Sequence, residues 1–307
     1  MARTPEVLAD GLFFPEGPRW RTAGMLPPAA AASAGEGRLF YSDILGKKVM
    51  SLGLDGSLEE IAAVPGMPSG LGWLPDGTLA VVSVMDGKLM ALRGGRLEEI
   101  ADMMAVTGNL CNDMVVDAGG RAYIGSPAGG WDESKIPNPG NMQGFGHVVL
   151  VRQEGDRFES RIVADRVTCP NGPCITPDGK TLVFAESLGF RLTAFDIAAD
   201  GSLENRRPWA DLGAPPDGIC MDEEGCVWVA LCYFEYGGPG GYVRVREGGE
   251  IADRIDVEGY SAYACTLGGP ELRTLFLCES KVLGQERFAG DGRIRAVEVD
   301  VPGSGSP

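Results

Sequence analysis

One unit recurs through the chain: a polar residue, an apolar run, a tight turn and a β-rich run. It is plainest at Asn171-Gly172-Pro173-Cys174-Ile175-Thr176-Pro177-Asp178-Gly179-Lys180-Thr181-Leu182-Val183-Phe184-Ala185. There Pro-Asp-Gly separates two strand-like runs, which reads as a β-hairpin. Residues 69–82 repeat it around Pro75-Asp76-Gly77, residues 217–230 around Gly225, and residues 112–124 around Gly119-Gly120. Residues 16–41 are a copy with a loop inserted at the turn, and residues 263–278 a degenerate one turning through Gly268-Gly269-Pro270. The copies recur at intervals of roughly 45 to 60 residues, the spacing of sheets set around an axis in a β-propeller.

Between hairpins lies a second repeating unit, an outer pair of strands whose first members begin at Lys48, Lys88, His147, Arg191 and Gly241. The last outer strand, residues 293–299, has no strand after it. Residues 5–12 can supply the missing one, so that one blade is assembled from the N-terminal and C-terminal strands and no sheet edge stays open. The expectation is an all-β, six-bladed β-propeller closed in this way, one domain over residues 1–307. Its irregular parts are a flexible loop at about 21–37, a lid loop at about 127–146, an aromatic loop at 233–240 and a disordered tail at about 302–307.

Composition bears on partners. The 46 Gly and 21 Pro residues follow no short period, which suits strands joined by turns. Net charge is −16 with no Lys/Arg cluster, which argues against nucleic acid and anionic membrane as partners. The first residues lack a signal peptide's apolar core and no apolar run is long enough to span a bilayer, so a cytoplasmic protein is expected, as a monomer or weak homo-oligomer acting on a small molecule. Eight cysteines fall in or beside strand runs without a Cys-x-x-Cys pair, the pattern of buried reduced thiols.

Aligning the copies on the turn glycine exposes one slot, eight positions earlier. It holds Ser69, Asn112, Asn171 and Asp217, with Glu16 placed there by its Glu-Gly-Pro context. In a propeller the slot begins the innermost strand, so these side chains converge at one end of the channel. Singly, each also suits a local turn hydrogen bond; the same position in separate repeats favours convergence. Glu16 and Asp217 would repel unless a cation lay between them. Two carboxylates and the Asn171 amide oxygen form a hard donor set suited to Ca²⁺, Mg²⁺ or Mn²⁺, with coordination positions left open for substrate. His147, the single histidine, heads an outer strand, so histidine-based zinc sites and serine–histidine triads are hard to build.

Phe14-Pro15-Glu16-Gly17-Pro18, Asn112-Asp113, Pro170-Asn171-Gly172, Pro216-Asp217-Gly218 and the stretch from Cys265 to Leu275 resemble the senescence marker protein/gluconolactonase/luciferin-regenerating enzyme family, which includes regucalcin. The resemblance implies a metal-dependent lactonase with one divalent ion, Ca²⁺ first and Mg²⁺, Mn²⁺, Zn²⁺ or Fe as alternatives. Glu16, Asn171 and Asp217 match the family's metal ligands, Asp217 its general base and Asn112 a substrate contact, while Asp113 would support the site from behind. Family members that hydrolyse sugar lactones commonly carry Arg two residues before that Asn; here the position is Leu110. With Phe13, Met67, Met85, Trp131, Phe145, Tyr233 and Tyr263 as channel-mouth residues, and Leu110, Trp131 and Tyr233 as substrate contacts beside Asn112, the expected substrate is a sugar lactone or a less polar lactone. Alternatives are hydrolysis of another ester, such as an organophosphate, and a Ca²⁺-binding propeller without turnover.

Overall fold

The computed structural model describes residues 4–26, 35–129, 144–232, 240–281 and 290–305. Six four-stranded sheets form a ring, a six-bladed β-propeller. The innermost strands are Pro15–Thr22, Pro68–Trp73, Met114–Val116, Pro170–Ile175, Pro216–Met221 and Ser261–Gly268, here blades one to six. In blade six, Glu6–Leu12 lies outside Gly292–Glu298, with Glu6 opposite Ala296 and Leu12 opposite Gly292. The two ends of the chain therefore share one sheet, as the unpaired last strand required.

The second strand of each blade explains why its sequence reads as a nearly unbroken apolar run. Successive side chains point to opposite faces, and both faces are covered by a neighbouring blade. Val81 packs with Phe40 and Val49 toward blade one, whereas Ala80 and Val82 pack with Met114 and Val149 toward blade three. Leu182 and Phe184 join Val115 and Tyr123, while Val183 joins Ile219 and Val229. Leu275 and Leu277 meet Trp228 and Tyr242, and Phe276 meets Leu39 and Tyr41, closing the circle. Each junction between adjacent blades thus has its own core.

The hairpin turns follow their sequence. Gly77, Gly120, Gly179 and Gly225 have φ between 70° and 81°, the left-handed region that glycine enters without steric cost. The aspartate directly before the turn glycine, or three residues before it, accepts a backbone N–H across the turn, as Asp76 does from Thr78, Asp178 from Lys180, Asp117 from Gly119 and Asp222 from Glu224. The expected disordered tail is a correction. Gly303 bridges to Asp222, and its N–H donates to the Leu272 carbonyl at 2.7 Å, so residues 302–305 tie the turns of blades five and six together. Within the expected loop at 21–37, the innermost strand runs on to Thr22 and a short 3-10 turn covers Ala23–Met25. Most of the expected lid loop, and residues 233–239 of the aromatic loop, lie outside the described residues.

Candidate functional site

Every innermost strand carries a bulge at the slot. Glu16 pairs with Ser42 but Arg19 with Phe40, so two residues oppose one. The same excess separates Pro68 from Leu71, Pro170 from Pro173 and Pro216 from Ile219, and a single extra residue, Tyr263, separates Ala262 from Ala264. In blade three the Asn112 N–H donates to the Gly125 carbonyl at 2.8 Å, and the Gly125 N–H donates to the Asp113 carbonyl at 2.9 Å. A bulge turns the local backbone and re-aims a side chain. The glycines beside the slot let neighbouring strands close in: a Cβ on Gly172 would stand 2.6 Å from Gly218 Cα, and one on Gly218 2.5 Å from Ala264 Cβ.

The slot side chains meet in a belt of hydrogen bonds that crosses five blades. Ser42 donates to the Ser69 carbonyl (2.6 Å), and Ser69 Oγ donates to Asn112 Oδ1 (2.9 Å). Asn112 Nδ2 donates to Asn171 Oδ1 (3.2 Å), Asn171 Nδ2 to Ser187 Oγ (3.2 Å), and Ser187 Oγ to the Pro216 carbonyl (2.7 Å). Both amides are therefore oriented, with the Asn171 oxygen turned toward Asn112.

Against this belt sit three buried carboxylates, Glu16, Asp113 and Asp217, at 5%, 3% and 4% exposure. Burial pushes the Glu16 carboxyl well above the usual range, and Asp217 and Asp113 push it further; the Gly17 N–H and Arg19 oppose them. Burial and the charge of Asp113 raise Asp217, against hydrogen bonds involving Cys232 and Asn171. Asp113 is raised by burial and drawn back by Arg19 and Ser69. Arg19, itself buried, donates to the carbonyls of Pro18 (2.8 Å) and Met114 (2.6 Å). Three carboxylates facing one guanidinium leave two negative charges uncompensated when all are ionised, and a dication of oxygen-seeking character fits that deficit. Among the described residues no three His, Cys, Asp or Glu side chains surround a common metal position, so a donor set here would draw on further oxygens, of which the Asn171 amide is one.

Phe14, Met67 and Leu110, each two residues before a slot position, precede the innermost strands and cluster with Ile44, Val84, Cys232 and Tyr263. Leu110 is 9% exposed and adds an apolar side chain to this cluster. Met85 packs at the edge of this cluster, whereas Phe13 and Phe145 face solvent at 42% and 50% exposure. Trp131 and Tyr233 lie outside the described residues. His147 pairs with Ser126 in blade three. The eight cysteines are free thiols, all buried except the half-buried Cys220.

Arg19, Ser187 and Cys232 belong to the site without having been read from the sequence.

A closed six-bladed propeller with a buried acidic cluster and an amide belt at one end of its channel is the class that fold and site define. The chain belongs to the SMP-30/gluconolactonase/LRE-like family, whose characteristic region matches residues 14–281. It is 26% identical over 204 residues to a 6-deoxy-6-sulfogluconolactonase from Pseudomonas putida, and 29% identical over 180 residues to regucalcin from Xenopus laevis. These matches take in 64% and 55% of this chain and span 64% and 54% of the relatives' own lengths. The fold is similar to the crystal structure of a calcium-binding regucalcin from Agrobacterium tumefaciens, with a TM-score of 0.77, 21% identity, and coverage of 100% of this chain and 97% of the other. Among the described residues no helix is long and apolar enough to cross a membrane.

Proposed function

We propose that the chain is a divalent-metal-dependent hydrolase that opens a lactone to its hydroxy acid. The observation that carries this reading is the recess where Glu16, Asp113 and Asp217 are buried together against a single arginine. Glu16, Asp217 and the Asn171 amide oxygen would hold the ion, with Ca²⁺ the first candidate. When bound, the ion supplies Lewis-acid polarisation of the lactone carbonyl and compensates the developing oxyanion. Asp217 takes the proton from the attacking water. Asn112 orients the substrate beside Asn171, and Asp113 with Arg19 fixes the recess from behind. Phe14, Met67, Leu110 and Tyr263 exclude water and present apolar surface to the ring, which favours a lactone with fewer hydroxyl groups than a sugar lactone.

Dialysis against a chelator is expected to abolish hydrolysis of a panel of aliphatic and sugar lactones, and added Ca²⁺, Mg²⁺ or Mn²⁺ to restore it. Asp217→Asn should lower kcat/KM by about 10²-fold or more, the scale of a lost general base, with the circular dichroism spectrum unchanged. Turnover that survives complete metal removal overturns the reading. That the similar regucalcin from Agrobacterium tumefaciens is a calcium-binding protein favours one second reading, a Ca²⁺ binder without hydrolytic activity. Stoichiometric Ca²⁺ binding with no turnover across the panel would support it.

A further inference from the structure

The opposite end of the channel holds a second recess. A cavity of about 680 Å³ lies among the hairpin turns, lined by Arg19, Trp20, Arg21, Trp73, Ile175 and Met221, among others. Trp73 is four residues beyond Ser69 on the same strand, so the recess stands roughly 13 Å from the slot at strand rise. Its volume is in the range of small-molecule sites.

Its charge is unusual for this protein. The Arg21 guanidinium stacks over the Trp73 ring at 4.5 Å and donates from Nη2 to the Met25 carbonyl at 2.9 Å. Among the described residues no carboxylate pairs with it, and its Nε finds no partner. Burial lowers its pKa with no neighbouring anion to oppose the shift. The acid that lines the same cavity, Asp117, is already engaged: Arg121 Nε donates to its Oδ2 at 2.6 Å, and the N–H groups of Gly119 and Arg121 donate to its Oδ1. Arg19 adds a second guanidinium to the wall, 8% exposed, with its Nε bonded to nothing in the protein. A chain of net charge −16 repels anions over most of its surface. Here a half-buried cation without an acidic partner among the described residues sits in a concave wall of mixed polar and apolar groups, and a concave wall focuses its field.

We propose that this cavity is a second binding site, for a small organic monoanion with an apolar body. Arg21 takes the anionic group by charge-assisted hydrogen bonds, while Trp20, Trp73, Ile175 and Met221 take the apolar body. One carboxylate matches Arg21, which among the described residues has no acidic partner; a dianion would leave one charge uncompensated. The proposal does not depend on the hydrolase reading, because none of these residues except Arg19 touches the acidic cluster.

Hexanoate, with 1-hexanol as its uncharged counterpart, tests it by isothermal titration calorimetry at low ionic strength on the full chain. Hexanoate is expected to bind one per chain, at least tenfold more tightly than hexanol. Arg21→Gln should weaken hexanoate at least tenfold and leave hexanol within twofold, and Arg21→Lys should recover part of the loss. Thermal melts establish that both variants fold; if Arg21→Gln does not, the hexanoate–hexanol difference and Arg21→Lys decide. No saturable hexanoate binding, equal binding of hexanol, or hexanoate binding unchanged in Arg21→Gln each overturn the proposal.

Discussion

At the scale of single residues, the candidate site shows how much depends on what stands one layer away from the reacting groups. Leu110 is two residues from Asn112 and belongs to the apolar cluster of Phe14, Met67 and Tyr263, so in the proposed site its side chain would border the substrate. Leu110→Arg is expected to raise kcat/KM for a sugar lactone relative to an aliphatic lactone by about tenfold, the scale of one added hydrogen-bonding contact; an unchanged ratio in a paired assay would remove Leu110 as a determinant of substrate polarity. The repeat alignment disclosed the slot, and with it Glu16, Ser69, Asn112, Asn171 and Asp217, because a slot is a position within a period. Arg19 was illegible for the opposite reason. It is Gly72, Cys174 and Cys220 that stand three residues after the slot in other blades, opposite Ala80, Val183 and Trp228, and a lone departure from a repeat reads as noise until the fold shows its guanidinium reaching the Met114 carbonyl.

At the scale of strands, the end of the second strand in several blades pins the segment that enters the slot. Asp43 accepts the N–H groups of Phe13 (3.2 Å) and Phe14 (2.8 Å), Ser126 donates to the Leu110 carbonyl (2.7 Å), and Glu186 accepts the Thr168 N–H (2.8 Å). Glu186 also receives Thr193, Arg191 and Arg206. Burial alone would raise its pKa, but those hydrogen bonds and the Arg206 charge outweigh it and hold the carboxyl below its usual range. A depressed carboxylate contributes stability above its unfolded pKa and loses it as pH falls through the folded value. The urea midpoint of the wild type should therefore exceed that of Glu186→Gln at pH 7, and the gap should close on acidification below the ordinary carboxylate range. A gap independent of pH would refute the linkage. Glycine at the slot's shoulder is a second element-level constraint: Gly218→Ala drives a Cβ into Ala264 and is expected to destabilise by about 1–3 kcal/mol, read as a lowered melting temperature.

At the scale of the whole molecule, the ring was legible because its hairpins are local and nearly identical, and its closure because the last outer strand lacked a follower. The ordered tail was not: Gly303 and Ser304 carry no strand-like pattern, and their place is set by carbonyls of Leu272 and Met221 that come together only when blades five and six are side by side. Removing residues 4–12 should expose the outer edge of Gly292–Glu298, and size-exclusion chromatography is expected to show association with a broadened thermal transition. A monomer with a sharp, unshifted transition would show that Glu6–Leu12 is dispensable. The bulged slots carry a last consequence. In the proposed metal site each donor comes from a different blade, so the gap between facing oxygens would be gauged by the circumference of the toroid and not by any loop. Cation size preference should then resist changes confined to one blade and respond to whatever dilates the ring, as a collet grips according to its bore.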